Sequence, residues 1–201
     1  TATTGNMTDS GALTIAGTSS FTTSVNNADI ILNNTNAFTG AVSLNTTGSE
    51  FGSSGDARID NGTTALILAA SSVGGNLNVR SGNSITDSGT VTVGGTLVAT
   101  TDANNGVINL DQLAIDLGIH LRTHGNGNAT AVNDAGFLFG GSGSTVGGNL
   151  SATATTGNIR DNNDGSVTVA GTSSFTTSAN NADIILDDTG HAFTGAVALN
   201  T

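Results

Sequence analysis

The chain has 201 residues with no Pro, Cys, Trp or Tyr, only seven Phe, and four basic against fifteen acidic residues, for a formal net charge of −11. Lack of Cys excludes a disulfide framework or a thiolate metal site, the negative charge opposes nucleic-acid backbones and anionic membrane surfaces, and no apolar run reaches the roughly 18 residues that would insert into a membrane. Many Val, Ile and Leu with few larger side chains predict a thin apolar core rather than disorder.

In chain order, short apolar runs alternate with small polar residues: Leu13 and Ile15, Ile30 and Leu32, Val42 and Leu44, Leu66 and Leu68, Leu77 and Val79, Val91 and Val93. Period two predicts strands with one face buried. Between them lie "NNTN", "DNG", "GG" and "DANNG", where Gly and Asn accept turn geometry. "LAIDLGIHL", Leu113 to Leu121, alternates strictly for nine residues and reads as one longer strand or two strands meeting at a corner. The stretch after it is the least repetitive, and 125–143 is where an insert or a displayed segment is expected.

The end of the chain repeats its beginning. "TIAGTSSFTTSVNNADIIL" from Thr14 returns as "TVAGTSSFTTSANNADIIL" from Thr168, and a more distant copy starts at Gly82. Copies starting at Gly5, Gly82 and Gly157 make about two and a half long repeats, which identifies a structural unit built again rather than a site built twice. A sandwich domain would not repeat in this way. The expected fold is therefore all-β, one continuous β-solenoid over 1–201, with turns of about 19 residues, about ten coils and a rod on the order of 50 Å long. Equivalent residues are expected to stack as ladders: Asn27, Asn105 and Asn181; Ile30, Ile108 and Ile184; Leu32, Leu110 and Leu186. Both ends fall within a repeat and read as uncapped edges, so the chain is expected to continue or to stack end to end on itself.

"NSITDSGTVTVGG" (Asn83 to Gly95), "FTGAVSLNT" (Phe38 to Thr46), "FTGAVALNT" (Phe193 to Thr201) and the two "VGGNL" phrases resemble the repeat regions of filamentous-haemagglutinin-like large exoproteins, secreted adhesins of Gram-negative bacteria. That resemblance implies a right-handed parallel β-helix shaft, extracellular or at the cell surface, adhering to a host or neighbouring cell. It supplies no catalytic or binding residue to carry over.

The candidate sites are weak. His120 and His124 would lie about 13 Å apart on a strand, too far to share a zinc ion; with His191, beside Asp187 and Asp188, they read as outward surface histidines. The acidic turns Asp102 to Gly106, Asp161 to Gly165 and Asp187 to Gly190 could offer calcium oxygen ligands, but "GGSGSTVGG" (Gly140 to Gly148) lacks the Asp of calcium-binding β-rolls, and turn closure is the stronger reading, so no cofactor is expected. Arg58, Arg80, Arg122 and Arg160 are scattered, and without aromatic platforms a polysaccharide-cleaving enzyme is not expected. The runs Thr18 to Ser24 and Thr90 to Thr96 raise an ice-binding alternative, lacking a regular Thr-x-Thr. The expected function is a non-enzymatic fibre shaft, with an adhesive module acting through 125–143 as the second reading; a functional amyloid ranks third, because such repeats depend on regular Gln and this chain has only Gln112.

Overall fold

The structure is a computed structural model that describes residues 1–48, 55–141, 143–162 and 165–201. The described residues form strands, turns and bends with no helix, and every strand pairing is parallel. The chain is a β-solenoid of three faces. Face I is a nine-stranded sheet of described strands running from Met7–Thr8 through Ile30–Leu32, Ala57–Asp60, Leu77–Ser81, Leu97–Asn104, Ile119–His124, Ser144–Val146 and Val167–Val169 to Ala192–Phe193.

Face II follows Thr14–Ile15 and Ala37–Phe38. It continues through Leu66–Leu68, Ile85–Asp87, the first half of Ile108–Ile115, Ala129–Asn133, Leu150–Ala154 and Ser173–Thr177 to Val197–Asn200. Face III follows Ser19–Asn26, Val42–Thr47, Ser71–Val73, Val91–Val93 and the second half of Ile108–Ile115. Beyond these it carries Phe137–Phe139, Ile159–Asp161 and Ile184–Ile185. Faces II and III merge into one sheet because Ile108–Ile115 runs round their corner.

Nine strands on face I make about eight coils, a stack of about 38 Å at the usual strand spacing. The registers Ala57↔Leu77 and Leu77↔Leu97 give coils of 20 residues, Met7↔Ile30 gives 23 and Ile30↔Ala57 gives 27. Coils are thus longer and fewer than the expected 19 residues and ten turns, because each carries three faces and three corners.

The core is a single column of Val, Ile, Leu, Ala and Phe inside the prism. On face I, Ile30, Ala57, Leu77, Leu97 and Ile119 stack, all at most 1% exposed. Phe139 contacts Phe137 and Phe175, and Phe175 contacts Phe193, with ring centroids 4.7 to 5.9 Å apart, so successive coils share aromatic contacts in the core.

The predicted ladders do not form. Ile30 lies on face I between Met7 and Ala57, Ile108 on face II between Ile85 and Ala129, and Ile184 on face III over Ile159. From Ile30 the stack passes Ala57, Leu77 and Leu97 before the chain reaches Ile108 one face further on. One sequence repeat therefore spans three coils and one face, and each copy is rotated by a face relative to the last. Leu32, Leu110 and Leu186, and Asn27, Asn105 and Asn181, are dispersed with them. The 125–143 stretch is no displayed insert either: its described residues include Ala129–Asn133 and Phe137–Phe139, both paired into the stack. Ser142 lies outside the described residues.

Candidate functional site

The polar residues concentrate at the corners, where the sequence places Gly, Asn, Asp and Thr. Asn27, Asn105 and Asn181 are each left-handed, with φ of 65°, 66° and 59°, a conformation Asn tolerates better than most residues. At each of the first two, a Thr four residues earlier closes the loop: Thr23 Oγ1 donates to the Ala28 carbonyl at 3.0 Å and Thr101 Oγ1 to the Gly106 carbonyl at 3.2 Å. One local turn is thus rebuilt at different corners of the prism.

The ladders that do exist were missed. Just before the face I strands, the side-chain oxygens of Asn6, Asp29, Asp56 and Asn76 each accept the backbone N–H of Asp29, Asp56, Asn76 and Thr96 in the coil above. Asn128 and Asn149 do the same before the face II strands, toward Asn149 and Thr172. Beside them run two glycine ladders, Gly55, Gly75 and Gly95, and Gly127, Gly148, Gly171 and Gly195, each amide donating to the glycine carbonyl below. The signal was in the sequence as Asn or Asp before an apolar pair at intervals of one coil. It was hidden because that interval varies from 20 to 27 residues.

Asn61 and Asn133 are fully buried and act as pieces of backbone. Asn133 Oδ1 accepts the Ile115 N–H at 2.8 Å, while Nδ2 donates to the carbonyls of Ile115 and Gly136 at 2.9 and 2.6 Å. Asn61 brackets Phe38 in the same way and also reaches the carbonyls of Thr64 and Ala65.

His191 is a corner residue rather than an outward one. Its Nδ1 accepts the Val167 N–H at 3.0 Å, so its Nε2 carries the proton and donates to Asp161 Oδ2 at 2.6 Å. Asn36 does this in the first copy: its Oδ1 accepts the Leu13 N–H and its Nδ2 donates to Asp9. Burial pushes the Asp161 carboxyl up, but the Asp188 N–H and His191 outweigh it and hold the group below the usual carboxylate range. Asp9, Asp87 and Asp161 are equivalent, each accepting backbone N–H groups from the coil above. At Asp87 burial dominates and its pKa is raised.

The other candidates are apart. His120 is buried, with Nδ1 donating to the Gly143 carbonyl above at 3.4 Å, whereas His124 donates to the Thr101 carbonyl in the coil below at 3.1 Å. Among the described residues no group of three or more His, Cys, Asp or Glu is placed to hold a metal ion. Asp102 pairs with Arg80 at 2.6 Å on the exposed surface, and Asn163 and Asp164 of the Asp161 turn lie outside the described residues. Thr92 has Ser72 and Ala114 beside it in the adjoining coils. An open groove along face III, lined by Asp116, Leu117, Phe137, Asn158 and Arg160, has a volume of about 670 Å³. No helix of the described residues is long and apolar enough to cross a membrane.

A family model described as repeats of unknown function (DUF5649) matches residues 1–45, 54–121 and 126–200. The second block begins three residues before the face I strand Ala57–Asp60 and the third three residues before the face II strand Ala129–Asn133. No curated protein and no solved structure matches the chain.

Proposed function

The chain belongs to this family of repeats of unknown function (DUF5649), and from that premise we propose that it is a length of structural shaft in an extracellular fibre, resembling the shaft of filamentous-haemagglutinin-like adhesins. The observation that carries the reading is the use to which the duplicated residues are put. Asp9 and Asp161 accept backbone N–H groups from the coil above, Asn36 and His191 each accept a backbone N–H of the coil below and donate to those carboxylates, and Thr23 and Thr101 donate to carbonyls at their own corners. A repeat whose polar residues are consumed in stacking favours length and stiffness over recognition of a ligand.

In this reading the protein is non-enzymatic and secreted, its partner is chiefly more of the same coil, and attachment to a host or neighbouring cell is a property of the whole fibre. Electron microscopy of the native material tests it. Rods of uniform width with a spacing near 4.8 Å along the axis support the shaft, and compact globules overturn it.

A further inference from the structure

Two polar side chains bordering the face III groove are not spent on the stack. His120 lies between Ile119 and Leu121, which enter the core, so it points outward, yet it is only 4% exposed. Its Nδ1 donates to the Gly143 carbonyl, and burial lowers its pKa below 6.5, so at neutral pH the ring is uncharged and Nε2 carries a lone pair. No described residue hydrogen-bonds that nitrogen. Two glycines leave room beside it: a Cβ on Gly118 would come within 3.3 Å of Nε2 and 3.4 Å of Thr96 Cγ2, and one on Gly141 within 3.5 Å of Nε2. Arg160 is the second side chain. It joins no ion pair among the described residues, in a chain whose formal net charge is −11.

A break in face III joins the two. The 113–115 segment pairs with Val91–Val93 below and Phe137–Phe139 pairs with Ile159–Asp161 above, while 116–118 and Phe137–Phe139 meet at one bridge, Gly118↔Leu138. The step leaves the groove of about 670 Å³ beside Arg160 and a second hollow of about 360 Å³ beside His120, and Leu117 and Leu138 line both. Arg160 pairs beside Leu138, and Leu138 beside Gly118, which sets Arg160 two coils, about 10 Å, above Gly118. We propose that this joined groove binds a short carboxylated oligosaccharide: a sugar hydroxyl donates to His120 Nε2, the C–H edges of the rings rest on Leu117 and Leu138, and the carboxylate meets Arg160. The site goes beyond the shaft reading by giving the shaft a ligand. A neutral imidazole nitrogen accepts a hydroxyl proton, and a guanidinium matches a carboxylate with paired N–H groups. Asp116, on the groove's wall, repels an anion placed beside it and directs the carboxylate to Arg160. An extended peptide fits less well, because strand addition needs a free sheet edge, whereas Phe137–Phe139 is paired above and bridged below.

Titration calorimetry of the whole chain near neutral pH tests the site, with a trisaccharide of uronic acids as the probe and a neutral trisaccharide of the same linkage as its control. The acidic sugar is expected to bind about tenfold or more tighter than the neutral one, and its addition to shift the His120 imidazole resonances. Arg160→Gln, an outward substitution that leaves the melting temperature unchanged, brings the acidic sugar down to the affinity of the neutral one. Gly118→Ala fills the space beside Nε2 and weakens both sugars. Absence of binding by the acidic sugar overturns the proposal, as does binding that neither substitution alters, or an acidic tetrapeptide that binds more tightly than the sugar. None of these outcomes changes the rods expected in the micrographs, so the site and the shaft reading fail separately.

Discussion

Asn133 illustrates how single residues hold this molecule. Its amide satisfies three backbone groups that have no strand partner at that corner, and a buried backbone group left unpaired costs about 1–3 kcal/mol. Asn133→Ala is expected to lower stability in chemical denaturation by about 2 kcal/mol or more, whereas Asn126→Ala, on the exposed surface, leaves it nearly unchanged. His120 supplies a pH dependence. Burial, with a smaller contribution from Arg122, lowers its pKa below 6.5, against the opposing Gly143 carbonyl. The folded chain thus binds the proton less well than the unfolded one, so its contribution is complete above about 6.5 and is lost as pH falls below that. The midpoint of thermal unfolding should drop between about pH 7.5 and 5.5, and His120→Leu should flatten that slope. Asp161 behaves in the same sense at lower pH, its contribution being lost as the carboxylate protonates below about 3.8.

At the scale of the strand and its corner, glycine sets how closely coils approach. A Cβ on Gly148 would meet the Asn126 carbonyl and Asn128 Oδ1, and one on Gly171 would meet Asn149 Oδ1 and the Gly148 carbonyl. Gly148→Ala therefore forces the stack apart locally and is expected to cost about 1–3 kcal/mol, while Gly11→Ala, with nothing within 4 Å, should be neutral; urea midpoints compare them directly. The strands were legible from the alternation of Leu13 and Ile15 through Val91 and Val93, since a half-buried strand needs that period. "LAIDLGIHL" likewise divides at a corner, into the end of Ile108–Ile115 and the start of Ile119–His124. His191 was not legible, because nothing local in "DDTGHAF" says that its ring replaces Asn36 against a carboxylate 30 residues away.

For the whole molecule, the relation between repeat and coil governs what the surface presents. Three coils and one face per repeat carry the same phrase round the prism: the copy at Thr14–Ile15 starts on face II, that at Val91–Val93 on face III and that at Val167–Val169 on face I. A shaft of many such repeats advances about 16 Å per repeat at 4.8 Å per coil and turns by one face each time. In the micrographs that test the shaft, averaged images should show that longer axial period together with the coil spacing. Three repeats return the phrase to its starting face after ten coils, about 48 Å; a single repeat that advanced a whole number of coils, such as three, would contradict the rotation.

The sequence by itself determined that this chain is an all-β repeat protein with a thin core, because period-two alternation, turn chemistry and duplication are properties of neighbouring residues. Only the tertiary structure decided which residues meet. Stacking partners are separated by one coil, whose length is the sum of three strands and three variable corners, so the ladder partners of Asn6 and Gly55 cannot be counted from the 77-residue repeat. The copies of Ile30 were spread over three faces for the same reason: the repeat is not a whole number of coils, and parallel strands pair with what lies directly beneath them rather than with what is most alike.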